Sequence, residues 1–239
     1  GGIRRLSPAE VEATVLDMLA ELGAPSGDVA TALAPLDTKH SFSNRTESGN
    51  LSSSQLQALI EWAEGVSLLG AQTPTDCTLG TTWDTCAADY TEALARLAFR
   101  RPVDVEDLAR FETVYNEVGA QVDAQAATRA VWEMALLSPD FWYLSAQTEE
   151  GSQRLDSHAI AARLSYSLWG TMPDARLRDM ADVGIDDETL RALADEMLDD
   201  PRTIPVLTAF HREWLHLAVP SSLEKDPARY PDFDGELAD

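Results

Sequence analysis

The pairing most able to hold a metal lies near the C-terminus. In Phe210-His211-Arg212-Glu213-Trp214-Leu215-His216, Glu213 and His216 stand three residues apart, which sets both side chains on one face of a helix. Carboxylate-bridged di-iron sites in helical bundles use this Glu-x-x-His spacing. Such a site also needs a second Glu-x-x-His and two further carboxylates, and the chain holds no second copy. His211 and His216 diverge by about 140° around a helix and do not chelate together. The stretch therefore reads as polar residues beside a Trp214 anchor, and neither a metal nor a cofactor is expected.

Other candidates are weaker. Asp37 and His40 share the three-residue spacing but sit at an expected helix end, where a histidine meets free carbonyls. His158 falls in the first turn of its helix and is expected to be exposed. Gly65-Val66-Ser67-Leu68-Leu69 lacks the second glycine of a nucleophile elbow and lies in helical context. Asp232-Phe233-Asp234-Gly235-Glu236 is part of a calcium loop without its first Asp or its distant Glu, so it reads as a turn. Asn44-Arg45-Thr46 and Asn50-Leu51-Ser52 fit the glycosylation triplet, although Ser52 also reads as a helix cap. Phe141-Trp142-Tyr143 reads as core filler. There is no glycine-rich phosphate loop and no HExxH, so catalytic residues stay unassigned.

Cys77 and Cys86, the two cysteines, sit in a Pro/Thr/Gly-rich stretch between helical segments, without metal-ligand spacing. They are expected to form a local disulfide, which implies an oxidising compartment; two unrelated buried thiols are the alternative.

Charge narrows the partners. The chain has 41 Asp and Glu against 18 Lys and Arg, a formal charge of −23 over 239 residues. Phosphate backbones and anionic lipid surfaces are repelled, so nucleic acid is not an expected partner. No apolar run approaches the ~20 residues of a membrane span. Gly1-Gly2-Ile3-Arg4-Arg5 has no apolar stretch after its charges, as a mature exported chain would also show.

The elements that must position these residues are helices. In Leu6-Ser7-Pro8-Ala9-Glu10-Val11, Ser7 caps, Pro8 suits the first helical position, Glu10 closes a capping box, and Leu6 staples to Val11. Val11, Val15, Met18 and Leu22 then form one apolar stripe. The same start recurs at Leu51-Ser52, Val103-Asp104, Leu155-Asp156 and Ile185-Asp186. Gly119 and Gly170 are expected to stop the third and fourth of these helices. Further helices are expected over residues 83–99, 121–137, 173–182 and 202–217. No segment alternates with period two.

The prediction is an all-α fold, a compact array of about eight to ten short helices packed largely orthogonally, without a substantial sheet. Residues 1–70 read as an N-terminal helical domain and 71–82 as a linker with a cysteine-pinned loop. Residues 83–150 and 155–239 read as two further helical domains.

Several strings resemble a large multidomain bacterial family. They are Arg4-Arg5-Leu6-Ser7, Phe99-Arg100-Arg101-Pro102-Val103, Leu137-Ser138-Pro139-Asp140-Phe141, Leu164-Ser165-Tyr166-Ser167-Leu168-Trp169-Gly170, Met172-Pro173-Asp174 and Tyr230-Pro231-Asp232-Phe233-Asp234. The family resembled comprises exported planctomycete and myxobacterial proteins built from serial domains of unknown function, often accompanied by a cytochrome c-like domain. The resemblance implies a periplasmic or extracellular location and relatives that continue past the point matching Asp239. It supplies no catalytic residues. Relatives often carry Gly-Phe-Asp-Asn at Ser41-Phe42-Ser43-Asn44, His and Arg at Asp140 and Leu144, and glycine at His216.

Two functions follow as expectations. The first is a structural or interaction module of a larger exported assembly, whose partners are other protein chains: a c-type cytochrome, or further domains of its own precursor. The alternative is a domain of an extracytoplasmic oxidoreductase coupled to a c-type cytochrome.

Overall fold

Ser7 opens the first helix as its sequence predicts. Its Oγ accepts from the Glu10 amide at 3.3 Å, and Glu10 Oε2 accepts from the Ser7 amide at 2.8 Å. The computed structural model describes residues 4–30, 53–73, 78–144, 147–148, 154–215 and 229. Among these it has ten helices: α1 (Pro8–Glu21), α2 (Ser53–Gly70), α3 (Thr85–Phe99), α4 (Val105–Gln121), α5 (Ala124–Leu137), α6 (Pro139–Trp142), α7 (Ser157–Leu168), α8 (Ala175–Val183), α9 (Asp187–Leu198) and α10 (Thr203–Trp214).

The caps explain where most of them begin. Asp84, Asp104, Asp123, Asp156, Asp174 and Asp186 each accept an amide hydrogen bond in the first turn of α3, α4, α5, α7, α8 and α9. A carboxylate there satisfies a free donor and meets the positive end of the helix dipole. Ser138 caps α6 by accepting from the Asp140 amide, with Pro139 at the first helical position. The start at Leu51-Ser52 lies outside the described residues.

The only strands among the described residues are two residues long. β1 (Arg4–Arg5) pairs antiparallel with β2 (Tyr143–Leu144), Arg4 opposite Leu144 and Arg5 opposite Tyr143. Leu6 extends the seam by donating to the Trp142 carbonyl at 2.9 Å. The fold is all-α, with a compact first core that α5 organises by packing against α2, α3 and α4. Trp132 and Val131 are fully buried there, with Leu6, Val11, Met18, Phe111, Tyr115 and Phe141. A second core joins Ile160 and Ala161 to Leu177, Ile185, Leu193 and Met197. Helix α7 belongs to both, since Ala162 and Tyr166 face the first.

Glycines behave differently from one another. Gly170 ends α7 at φ +70, the left-handed stop its sequence predicts. Gly119 does not stop α4, which continues to Gln121. A Cβ on Gly119 would stand 2.1 Å from the Thr81 carbonyl oxygen, so its role is close approach to the segment after residue 77. Tyr115 and Asn116 hold the same segment, by Tyr115 donating to the Gly80 carbonyl and Asn116 Oδ1 accepting from the Trp83 amide, both at 2.7 Å.

Candidate functional site

The residue that ends α3 is neither glycine nor asparagine. Arg100 sits at φ 56 in the left-handed region, the one non-glycine residue with positive φ among those described. That conformation costs about 1 kcal/mol or more in an arginine. It turns the buried guanidinium toward α6, whose last carbonyls have no helical partner. Arg100 Nη2 donates to the carbonyls of Asp140 (2.6 Å), Phe141 (2.9 Å) and Tyr143 (3.3 Å). Its cationic plane lies near the rings of Phe141 and Tyr166.

Arg100 Nη1 donates to the Tyr166 hydroxyl at 3.4 Å, and that hydroxyl lies 2.7 Å from Thr14 Oγ1. Thr14 donates its single proton to the Glu10 carbonyl at 2.6 Å, so Tyr166 must donate to Thr14. The proton order is therefore fixed along Arg100, Tyr166, Thr14 and the α1 backbone. Burial pushes the Tyr166 phenol above its ordinary pKa, against the pull of Arg100. Glu10 then binds Arg4 through its carboxylate and closes the capping box. Arg101 completes the junction, 2.8 Å from Asp107 and 3.6 Å from Asp140. Burial alone would lower its pKa, but the bond to Asp107 and the charges of Asp107, Asp140 and Asp104 hold it above the ordinary value.

One side of this network borders a cleft of about 650 Å³, formed by the start of α1, the end of α7 and α10. Arg4, Ser7, Glu10, Tyr166, Ser167 and Glu213 supply its polar lining, and Val206, Leu207 and Phe210 are among its apolar residues. That volume falls in the range of ligand sites, roughly 300–1,000 Å³. Only a short part of α10 is packed: Thr203 is buried and donates to the Met197 carbonyl at 2.6 Å, and Val206 approaches Gly170. Arg202, just before it, stacks on the Trp169 ring at 3.4 Å.

The residues singled out from sequence are not brought together. Glu213 and His211 are exposed on α10, and His211 Nδ1 lies 2.7 Å from the Leu207 carbonyl within its own helix. His158, expected to be exposed, is half-buried, with Nε2 2.8 Å from Asp182 Oδ1. The hydrogen bond to His158, then Arg96, holds the Asp182 carboxyl below its usual range. Ser67 is fully buried in α2, 2.8 Å from both the Glu64 carbonyl and Glu133 Oε1. Phe141 and Trp142 are core residues. Cys86 lies in the first turn of α3. Cys77, Asp37, His40, Asn44, Asn50, His216, Asp232, Asp234 and Glu236 lie outside the described residues. Among the described residues no group of three or more His, Cys, Asp or Glu could hold a metal ion, and no helix is long and apolar enough to cross a membrane.

Sequence reasoning missed the Arg100–Tyr166–Thr14 network. Its signal was Thr14, a polar side chain beside Val11, Val15 and Met18 on the buried stripe of α1.

Three families match the chain in series. Residues 4–68 match PSD3, described as a protein of unknown function (DUF1587). Residues 86–145 match PSD5, a protein of unknown function (DUF1595), and residues 155–239 match PSD4, a protein of unknown function (DUF1592). No curated protein and no solved structure matches the chain. The network joins all three matched segments: Glu10 and Thr14 come from the first, Arg100 and the α6 carbonyls from the second, and Tyr166 from the third.

Proposed function

We propose that this chain is a structural and interaction module of a larger assembly outside the cytoplasm, and that its partners are other protein chains. The observation that carries the reading is the use of its buried polar groups. Arg100, Tyr166, Thr14, Glu10 and Arg4 are spent on fixing three chain segments against one another, each bonded to backbone or to another of the set. A rigid frame of that kind leaves the cleft beside α10 as the face for recognition. The exported family that the sequence resembles supports the location, and a Cys77–Cys86 disulfide belongs to the same proposal. Within that family the partner class includes c-type cytochrome-like domains.

Natively purified protein, examined by absorption spectroscopy and metal analysis, tests the reading. The chain itself is expected to be colourless and metal-free, with any Soret band following a separable partner. Stoichiometric iron or copper that stays with this chain after partners are removed would overturn it in favour of the oxidoreductase.

A further inference from the structure

The two-residue strand β1 sends its arginines to opposite sides, as the pleat of a strand requires. Arg4 lines the α10 cleft and is bound to Glu10. Arg5 lines a separate pocket of about 300 Å³, formed with α2, the end of α5 and α6. The floor of that pocket is closely packed: Leu59 and Trp142 are buried core residues, and the Trp142 indole donates to the Leu136 carbonyl at 2.7 Å. Leu56 and Leu137 form its exposed rim. An apolar pocket with a few converging donors is the usual form of a small-ligand site, and this volume sits at the lower end of that range.

Among the described residues Arg5 is the one charged group lining the pocket, and it has no ion-pair partner. That is unexpected in a chain with 41 acidic residues against 18 basic ones, where Arg4, Arg96, Arg101, Arg176 and Arg178 each hold a carboxylate. Acids on the flanking elements are engaged elsewhere: Asp140 with Arg101, and Glu61 by accepting from Gln57. The Trp142 ring holds the Arg5 cation, 5.7 Å from guanidinium carbon to ring centre, which leaves the N–H donors unspent. Tyr143 stands opposite Arg5 across the β1–β2 pair, so its side chain shares that face, and it lines the same pocket. Its phenol hydroxyl has no hydrogen-bond partner among the described residues. These donors select the occupant. A neutral apolar molecule would leave the guanidinium desolvated and unpaired, and a cation would be repelled. An apolar tail ending in a carboxylate fills the pocket and takes the planar fork of Arg5.

We propose that this pocket binds a small apolar monocarboxylate, its tail against Leu56, Leu59 and Trp142 and its carboxylate on Arg5 and Tyr143. The site lies across β1 from the α10 cleft and stands independently of the interaction-module reading.

Sodium octanoate titrated into the isotope-labelled full chain, followed by backbone amide shifts, is the test. Saturable shifts are expected over 4–6, 53–60 and 137–144, with a Kd on the order of 0.1–1 mM for about ten non-hydrogen atoms. Acetate lacks the tail and octylammonium reverses the charge, so neither should give saturable shifts there. Octanol should bind about tenfold more weakly or worse. Arg5→Gln should weaken octanoate about tenfold or more, and Arg5→Lys by less, because the charge stays while the fork is lost. Leu56→Glu, on the exposed rim, should abolish binding by giving Arg5 a carboxylate of its own, with circular dichroism unchanged. Leu68→Glu, the same change at an exposed position of α2 outside the pocket, should alter affinity by less than about twofold. No saturable shift, shifts centred elsewhere, octanol or acetate binding as tightly as octanoate, unchanged affinity in Leu56→Glu, an equal loss in Leu68→Glu, or a dimer that Leu56→Glu dissociates would each overturn the proposal.

Discussion

Arg100 and Tyr166 meet at 3.4 Å, guanidinium to phenol, where α3 ends and α7 passes the start of α1. The arginine donates to the carbonyls of Asp140, Phe141 and Tyr143, and the tyrosine hydroxyl donates to Thr14 Oγ1. Arg100→Met should cost about 3 kcal/mol or more, because buried carbonyls lose their donor. Arg100→Lys should recover little, since a single ammonium cannot match the planar fork. Tyr166→Phe should cost about 1 kcal/mol. Denaturant titration of the single and double variants should show coupling of about 0.5–2 kcal/mol; strict additivity would mean that the two residues do not act as one network.

Gly119 and Gly65 provide a contrast within helices. A Cβ on Gly119 meets the Thr81 backbone oxygen at 2.1 Å, whereas a Cβ on Gly65 meets nothing within 4 Å. Gly119→Ala should therefore destabilise by about 1–3 kcal/mol, with the backbone forced to move. Gly65→Ala should stabilise by about 0.5–1 kcal/mol through helix propensity alone. Thermal melts of the two variants check both signs, and a stabilising Gly119→Ala would refute the close approach.

That contrast also shows what a sequence can and cannot disclose. Ser7, Asp104, Asp156 and Asp186 were legible as caps because capping is local: donor and acceptor lie within three residues. Gly170 was legible for the same reason, as a stop after a stripe. Gly119 looked identical in sequence, but its role depends on Thr81, 38 positions earlier, which no local pattern displays. Arg100 was hidden further. Its string read as family resemblance, and its partners lie 40, 41, 43 and 66 residues away. His158 reads as exposed from its own helix because its partner, Asp182, comes from another. The cleft was invisible for a related reason: Glu10 and Leu207 come from opposite ends of the chain, and only the fold makes them two walls of one groove.

Cys86 sits where α3 starts, one residue after Thr85, on the helix that Arg100 ends. A bond from Cys77 would close a loop around the segment that Gly119 and Tyr115 hold, which includes Gly80 and Thr81. Such a short loop should contribute about 2–3 kcal/mol. Intact mass of the freshly isolated protein should rise by about 2 Da on reduction, and Cys86→Ala should lower the melting temperature by about the amount reduction does. Two free thiols in freshly isolated protein would remove both the bond and the compartment it implies.

Asp17 gives the clearest pH signature. Burial raises its carboxyl above the ordinary 3.8; the Thr171 bond opposes this, Glu21 adds to it, and Arg202 lowers it. A carboxyl whose folded pKa is raised binds protons more tightly in the folded state, so stability falls as pH rises from 3.8 through the folded pKa. The ionised form at neutral pH is therefore a cost. Asp17→Asn keeps an oxygen to accept from Thr171 and removes the charge. It should melt higher than the parent at pH 7, and the gain should shrink with falling pH and vanish below 3.8, where both side chains are neutral. Because any lost carboxylate eases the repulsion of a chain at −23, Asp89→Asn on the exposed side of α3 is the control. An equal gain from both variants would assign the effect to net charge; a gain confined to Asp17 assigns it to the buried seam between α1 and the segment that follows α7.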